Sequence, residues 1–350
     1  MDTLTHALSG ALLARATHRP DRGGPSLQER TLVGFLAAAF PDIDYGLFWI
    51  DPANFLNWHR ALTHSLVLLP VWAWLLAASL ARLRGGHSWK AYYGVCVLGL
   101  LIHIAGDVIT IYGTKLFFPL SDTAWSWGVS FDINPYIGAI IAAGLIASWV
   151  KPPLAAMAIT GLALGFFLLC QAVLQERAVV VGRKYAVRLE LPEATVHAIP
   201  QPLSPFHWNV LLVEDERYWL AHLDFLARHP RPDPPDDAWL PLRMLAGYQP
   251  ASALRWRRYS RFGDDAADQA LAQRVWEQEA LAAFRRFAVL PALYRIDRDS
   301  DGICVWFTDL RHIFPHVVPS FRHGLCRQAN AERWRPYRLR YFSVDARQVL

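Results

Sequence analysis

Seven residues in the first third of the chain carry side chains that bind metals: His6, Asp42, Asp44, His59, His64, His103 and Asp107. Imidazole and carboxylate together suit zinc, and also manganese or iron. All seven lie in or beside apolar runs, where ionisable groups are costly and are functional candidates by default. A single histidine on an apolar face is ordinarily a packed residue with a satisfied hydrogen bond. An HxxxD, an HxxxxH and a DxD falling together point instead to a metal site. In "HIAGD" the i, i+4 spacing puts His103 and Asp107 on one helical face, and Gly106 beside them allows close approach. "THALSG" places His6 and Gly10 on one face in the same way. In "FPDID", Pro41 breaks or kinks the helix, so that Asp42 and Asp44 point into a common cavity from irregular backbone. Such backbone is tolerated at membrane depth only where protein or a cavity surrounds it. His59 and His64 are five apart and converge only if His59 precedes the helix start.

Around these residues stand auxiliary candidates. Arg60 lies at the mouth of the site, where it would stabilise developing negative charge or anchor the interface. Thr114 and Lys115 in "YGTK" would face an anionic substrate, although this is no phosphate-binding P-loop. Asp132 in "SFDINP" reads as the cap of the next helix in preference to an extra ligand.

The elements that must hold these side chains are hydrophobic. Residues 1–174 contain 19 of the 65 charged residues, and residues 175–350 hold the other 46. This is the profile of a membrane-embedded half followed by a soluble half. Ala61–Ala81, Ala91–Tyr112 and Leu154–Leu174 reach or approach the length of about 20 residues that spans a hydrocarbon core. Ile133–Val150 is shorter, Leu32–Ile50 is interrupted by "PDID", and Leu4–Ala14 is short. The first apolar stretch lacks a positive flank, so it reads as a retained helix and not a signal peptide. The expected fold is an α-helical integral membrane domain over 1–175, of about five to six helices with one short or re-entrant, followed by a soluble α+β domain over 176–350.

Basic residues sort the loops. Arg15, Arg19, Arg22 and Arg30 follow the first helix; Arg82, Arg84 and Lys90 lie between the third and fourth segments; Lys151 lies between the fifth and sixth. If these loops are cytoplasmic, the soluble half lies outside, which in a bacterium is the periplasm. The seven candidates then fall near one leaflet. The net charge of +5 is scattered, with no basic stripe interleaved with aromatics, so no nucleic-acid partner is expected.

In the soluble half, residues 178–191 and Trp208–Val213 read as strands, Asp264–Leu290 as a helix, and Gly302–Asp309 and Tyr337–Val344 again as strands. "RHPRPDPPDD" is a proline-rich loop. "DRDSDG" at 297–302 begins like a calcium loop, with Asp297, Asp299, Asp301 and Gly302. Thr308 stands where the bidentate Glu belongs, so the segment reads as a turn between helix and strand. Cys96 and Cys170 are packing residues; Cys304 and Cys326 would pair in an oxidising compartment. His207, His312, His316 and His323 form too loose a set for a second metal site.

"MDTLTHALSGALLA", "FPDIDYGL", "HRALTHSL", "HIAGDVITIYGTKLFFPLS", "PLSPFHWNVL" and "VWFTDLRH" resemble the YdjM-like, membrane-bound metal-dependent hydrolase family. The resemblance covers most of the chain and is strongest over residues 1–135. It implies a metal-dependent hydrolase without defining the substrate. More distantly, the order His, Asp, His, HxxxD is similar to that of zinc-dependent phospholipase C and the P1-type nucleases. By that analogy His6, Asp42 or Asp44, His59 or His64, and His103 with Asp107 correspond to ligands. Those enzymes carry a further His after HxxxD and a later HxxxE, and this chain has neither, so one or two ions are expected instead of three. The resulting expectation is a metal-activated water attacking a phosphoester or lipid-linked substrate at the outer leaflet of the inner membrane. Asp44 or Asp42 would be the general base or a bridging ligand. The rivals are a transporter or channel, a haem protein with paired histidines, and a structural membrane protein tied by a metal without turnover.

Overall fold

A computed structural model describes residues 1–20, 24–235, 237–300, 302–329 and 331–350; Arg22 and Asp301 lie outside the described residues. The chain divides into two compact units, Met1–Ile50 with Trp58–Val173, and Asp51–Asn57 with Leu174–Leu350.

The first unit is helical. Helix α1 (Thr3–Ala16) is capped by Asp2, whose carboxylate accepts from the Thr5 N–H at 3.0 Å. Helix α2 (Leu27–Ala39) starts at Ser26, whose hydroxyl accepts from the Glu29 N–H. It tightens at Pro41 into a 3-10 segment, Phe40–Gly46, and ends in one turn, α3 (Leu47–Ile50). After α4 (Pro52–Trp58), whose residues up to Asn57 belong to the second unit, come a 3-10 turn Leu62–His64, α5 (Leu69–Arg84), α6 (Trp89–Val108), α7 (Pro135–Val150) and α8 (Pro153–Arg188), the last continuing into the second unit from Leu174. Among the described residues three helical stretches are long and apolar enough to cross a membrane: Leu27–Ile50, Trp89–Val108 and Pro153–Arg188. A fourth appears if Pro52–His64 and Leu69–Arg84, bent by 76°, are one broken span. Helices α1 and α7, with 14 and 16 residues, are shorter than the usual span.

Small residues let these helices approach closely, as helices in lipid do. A Cβ on Gly10 would stand 2.3 Å from the Gly34 carbonyl oxygen, and one on Gly99 would stand 2.7 Å from the Ala37 methyl. Helices α1, α2 and α6 therefore meet nearly backbone to backbone. The apolar core of Val33, Ala37, Ala73, Tyr92, Val95 and Leu100 lies beside them.

The second unit contains two antiparallel meanders. The first sheet holds β1 (Thr195–Pro200), β2 (His207–Glu214), β3 (Arg217–Asp224) and β4 (Arg257–Ser260) in that order. The second holds β5 (Pro291–Asp299), β6 (Gly302–Asp309), β7 (Arg322–Gln328), β8 (Arg335–Leu339) and β9 (Arg347–Val349). Helices α9 (Leu240–Gly247), α10 (Ala266–Trp276) and α11 (Ala282–Phe287) lie between strands in sequence. Trp208 and Trp306 are fully buried anchors, one in each sheet. Cys304 and Cys326 face each other in the β6–β7 register and form a disulfide.

Several expectations change. Residues 178–188 continue α8 and are not a strand: Leu174, Ala178 and Val181, spaced four and three apart, pack on Ala198, Trp208 and Val210. The charges at Glu176 and Arg177 mark the end of the apolar run without ending the helix. Asp264–Leu290 is two helices, with a break after Trp276; Asp265 caps the first by accepting from the N–H groups of Ala267 and Asp268. "DRDSDG" joins two strands, β5 and β6, instead of a helix and a strand. The Tyr337–Val344 strand is shorter and earlier, as β8.

Candidate metal centre

His103 and Asp107 lie one turn apart on α6 and are fully buried. The His103 Nδ1 donates at 2.6 Å to the carbonyl of Ala38, in the last turn of α2, so its Nε2 carries the ring's lone pair. His64, also fully buried, ends the 3-10 turn of the bent segment. Thr63 donates its one hydroxyl proton to Asp44 Oδ2 at 3.1 Å, and its oxygen then accepts from His64 Nδ1 at 3.0 Å. His64 Nε2 is therefore a bare lone pair as well. The two Nε2 atoms are 3.0 Å apart, and Asp107 Oδ2 lies 3.1 Å from that of His64 and 3.3 Å from that of His103. Three electron-pair donors converge with no proton to share between them, an arrangement a divalent cation satisfies. Tetrahedral zinc with bonds of 2.0–2.1 Å needs donors about 3.3 Å apart, which these separations approach. Each imidazole also donates its second nitrogen to an oxygen, the support that metal-bound histidines use.

Asp42 sits at the edge of this triangle. Its Oδ1 is 3.7 Å from His103 Nε2 and 3.9 Å from His64 Nε2, and Oδ2 accepts from the Thr3 hydroxyl at 2.5 Å. His6, on α1, stacks on the His103 ring at 3.7 Å and places Nε2 3.1 Å from Asp107 Oδ1. Its Nδ1 is buried without a hydrogen-bond partner among the described residues, as is Asp107 Oδ2. Two groups result whose donor atoms lie within 4.8 Å of one another: His64, His103 and Asp107, and His6, Asp42 and His103. A Cβ on Gly106 would stand 3.0 Å from the His6 ring, so glycine there admits the imidazole.

Asp44 and His59 lie outside both groups. Asp44 accepts from His59 Nδ1 at 2.8 Å, from the Arg60 N–H at 3.1 Å and from Thr63, so it organises the bent segment behind His64. Arg60 is not at an open mouth and is no interfacial anchor: it is 2% exposed. Its backbone is left-handed at φ 59°, and its guanidinium meets Asp107 Oδ1 at 3.1 Å, Asp132 Oδ1 at 3.3 Å and the Thr110 hydroxyl at 2.7 Å. It also lies over the Tyr112 ring. Asp132 is thus an ion-pair partner and not a helix cap; Asn134 caps α7 by accepting from the N–H groups of Tyr136 and Ile137. Thr114 is buried in a bridge with Trp125, whereas Lys115 points to Asp122 at 3.3 Å in an exposed pair. The sequence reading missed Thr3, Thr63, Thr110, Tyr112 and the Ala38 carbonyl. Only Thr63, directly beside His64 in "ALTH", offered a signal. The amino group of Met1 also reaches Asp107 Oδ1. Among the described residues, both donor groups are in the first unit, and none of His207, His312, His316 and His323 belongs to one.

Fold and site together define a helical membrane protein with a buried imidazole–carboxylate centre. Residues 1–178 match the YdjM inner membrane protein family, and the chain belongs to it. It is similar to the uncharacterized protein YfhP of Bacillus subtilis (strain 168), 29% identical over 140 residues, which cover 39% of this chain and 43% of that protein. The chain thus spans less than half the length of this relative. No solved structure matches.

Proposed function

We propose that the protein is a membrane-bound metal-dependent hydrolase acting on a phosphoester or lipid-linked substrate at the outer leaflet of the inner membrane. The observation that carries this reading is the pair of lone-pair imidazole nitrogens, on His64 and His103, facing each other and Asp107 Oδ2 at 3.0–3.3 Å. These three residues would hold the ion, with Asp42 next to them. When bound, a divalent ion supplies Lewis acidity that acidifies a water and polarises a phosphoryl or acyl oxygen. His103 belongs to both donor groups with its Nδ1 committed to Ala38, so its free nitrogen serves one ion and single-ion loading is expected. Asp44 has its oxygens occupied by His59, Thr63 and a backbone N–H; Asp42, with one oxygen held by Thr3, is the better general base. Arg60 holds Asp107 and Asp132 in place and offers positive charge against developing negative charge. Zinc is the first metal to test, then manganese and iron.

The soluble half would lie in the periplasm. The Cys304–Cys326 bridge supports that side, because disulfides persist in oxidising compartments. The complete burial of His64, His103 and Asp107 favours a second reading, a metal that only ties α2, α6 and the bent segment together.

Elemental analysis of the detergent-purified protein, beside a His103→Ala, Asp107→Ala double variant, separates metal binding from none. We expect about one equivalent in the parent and none in the variant. Absence of stoichiometric metal in the parent after reloading would remove the basis for hydrolysis. Metal without turnover across phosphoester and lipid substrates would favour the structural reading.

A further inference from the structure

The "PLSPFHW" stretch has no part in the metal centre, yet it borders a cavity of about 360 Å³ in the second unit. That volume lies within the range of small-molecule pockets. The walls are apolar: Pro202, Leu203, Leu226, Pro241, Met244 and Leu245. Three of these, Leu203, Leu226 and Leu245, are 60%, 63% and 41% exposed, an apolar rim around the opening. Leu203 is also left-handed, at φ 70°, a backbone conformation that L residues avoid and that concentrates at ligand sites.

The polar groups in the cavity define what it would accept. Asp224 is 3% exposed, and its carboxylate accepts from the Leu226 N–H at 2.8 Å and from Arg231 at 2.6 Å, with His207 Nε2 at 3.4 Å. Arg231 spends its other amino group on the carbonyls of Leu245 and Tyr248. The two charges therefore neutralise each other and are committed, leaving no net charge for an ionic ligand. The His207 ring is stacked on Tyr248 at 4.0 Å. With Nε2–H turned to Asp224, its Nδ1 is a lone-pair acceptor without a partner among the described residues. The Ser204 hydroxyl already accepts from the Phe206 N–H and keeps its proton to donate. One neutral acceptor and one neutral donor stand among apolar walls.

We propose that this cavity binds a neutral amphiphile, a molecule with an apolar body and a hydroxyl or carbonyl head. The head meets His207 Nδ1 and the Ser204 hydroxyl, and the body lies along Leu203, Met244 and Leu245. The proposal is independent of the metal centre and holds equally for the His103→Ala, Asp107→Ala variant.

The test uses the full chain in lipid nanodiscs and a photoreactive diazirine analogue of 1-octanol, with carboxylate and trimethylammonium analogues of the same chain length. Labelled peptides are mapped by mass spectrometry. The expected result is saturable labelling of the segments around Leu203 and Met244, competed by unlabelled octanol. It should exceed labelling by either charged analogue by about tenfold, since an unpaired charge enters such a site poorly. Leu245→Trp, which fills the cavity, should abolish it, and Ser204→Ala should reduce it. Labelling that octanol does not compete, or that the charged analogues match, overturns the proposal. So does undiminished labelling in Leu245→Trp. If Leu245→Trp fails to fold, the competition and charge comparisons in the parent chain still decide.

Discussion

At the scale of the residue, the metal centre depends as much on the groups behind the donors as on the donors. Asp44 belongs to neither donor group, but it fixes Thr63, which in turn fixes the His64 tautomer. Asp44→Asn should therefore weaken metal affinity by about 10- to 100-fold while leaving the three donors in place; competition with a chromophoric chelator measures this. Unchanged affinity would mean that the hydroxyl relay is irrelevant. In the second unit, burial pushes His222 and His323 down to about 3, reinforced by Arg257 for the first and by Arg338 and Arg322 for the second. Both stay neutral in the folded protein while their unfolded counterparts bind a proton below about 6.5. The unfolded state thus takes up more protons on acidification, and stability falls as pH drops from about 6.5 towards 3. Each histidine contributes a slope of about 1.4 kcal/mol per pH unit in that window. Denaturant midpoints followed by tryptophan fluorescence between pH 7 and 5 should show it, and His323→Gln should flatten the dependence.

At the scale of the element, close helix approach sets the geometry. Gly10→Ala puts a methyl against the Gly34 backbone carbonyl, which cannot rotate away, so α1 must shift and carry His6 with it. The expected cost is about 1–3 kcal/mol, typical of overpacking. A lower melting temperature in detergent together with reduced metal content would report it; a normal melting curve would mean that the helices have slack. Much of this was legible in advance. The i, i+4 spacing of His103 and Asp107, the break at Pro41 and the glycines on shared faces all come from helical periodicity, and the helices follow that period. The division of labour between Asp42 and Asp44 was not legible, because it depends on the left-handed turn at Arg60, which has no glycine or asparagine to announce it. Residues 178–188 misled for another reason. "AVVV" has the β-branched composition of a strand, while the three- and four-residue spacing of its buried side chains appears only once Trp208 is in place across from them.

At the scale of the whole molecule, the distribution of arginine and lysine and the disulfide make one prediction about sidedness. An alkaline phosphatase fused after Leu350, active only outside the cytoplasm, should be active, and a fusion in the loop after Arg84 should be silent. The reverse pattern would place the second unit in the cytoplasm and remove the outer-leaflet substrate. Apolar surface alone carries no such direction: exposed Trp49, Ile50, Trp149 and Phe166 are what lipid-facing positions offer, with no sign of which leaflet they meet.

Helix α8 has a further consequence. Its 36 residues extend about 54 Å, whereas a hydrocarbon core is about 30 Å thick. The family match ends at residue 178, inside this helix, and the second compact unit begins at Leu174, also inside it. At that point in the sequence the chain is helical, since α8 runs from Pro153 to Arg188. Proteases need an extended stretch to bind, so nicking there would first require several turns to melt. A fragment started at residue 189 would expose the faces of Ala198 and Trp208 that Leu174, Ala178 and Val181 cover. Any evolutionary or laboratory exchange of residues 189–350 would leave behind the end of α8 on which Ala198 and Trp208 pack, so that helix end has to travel with them.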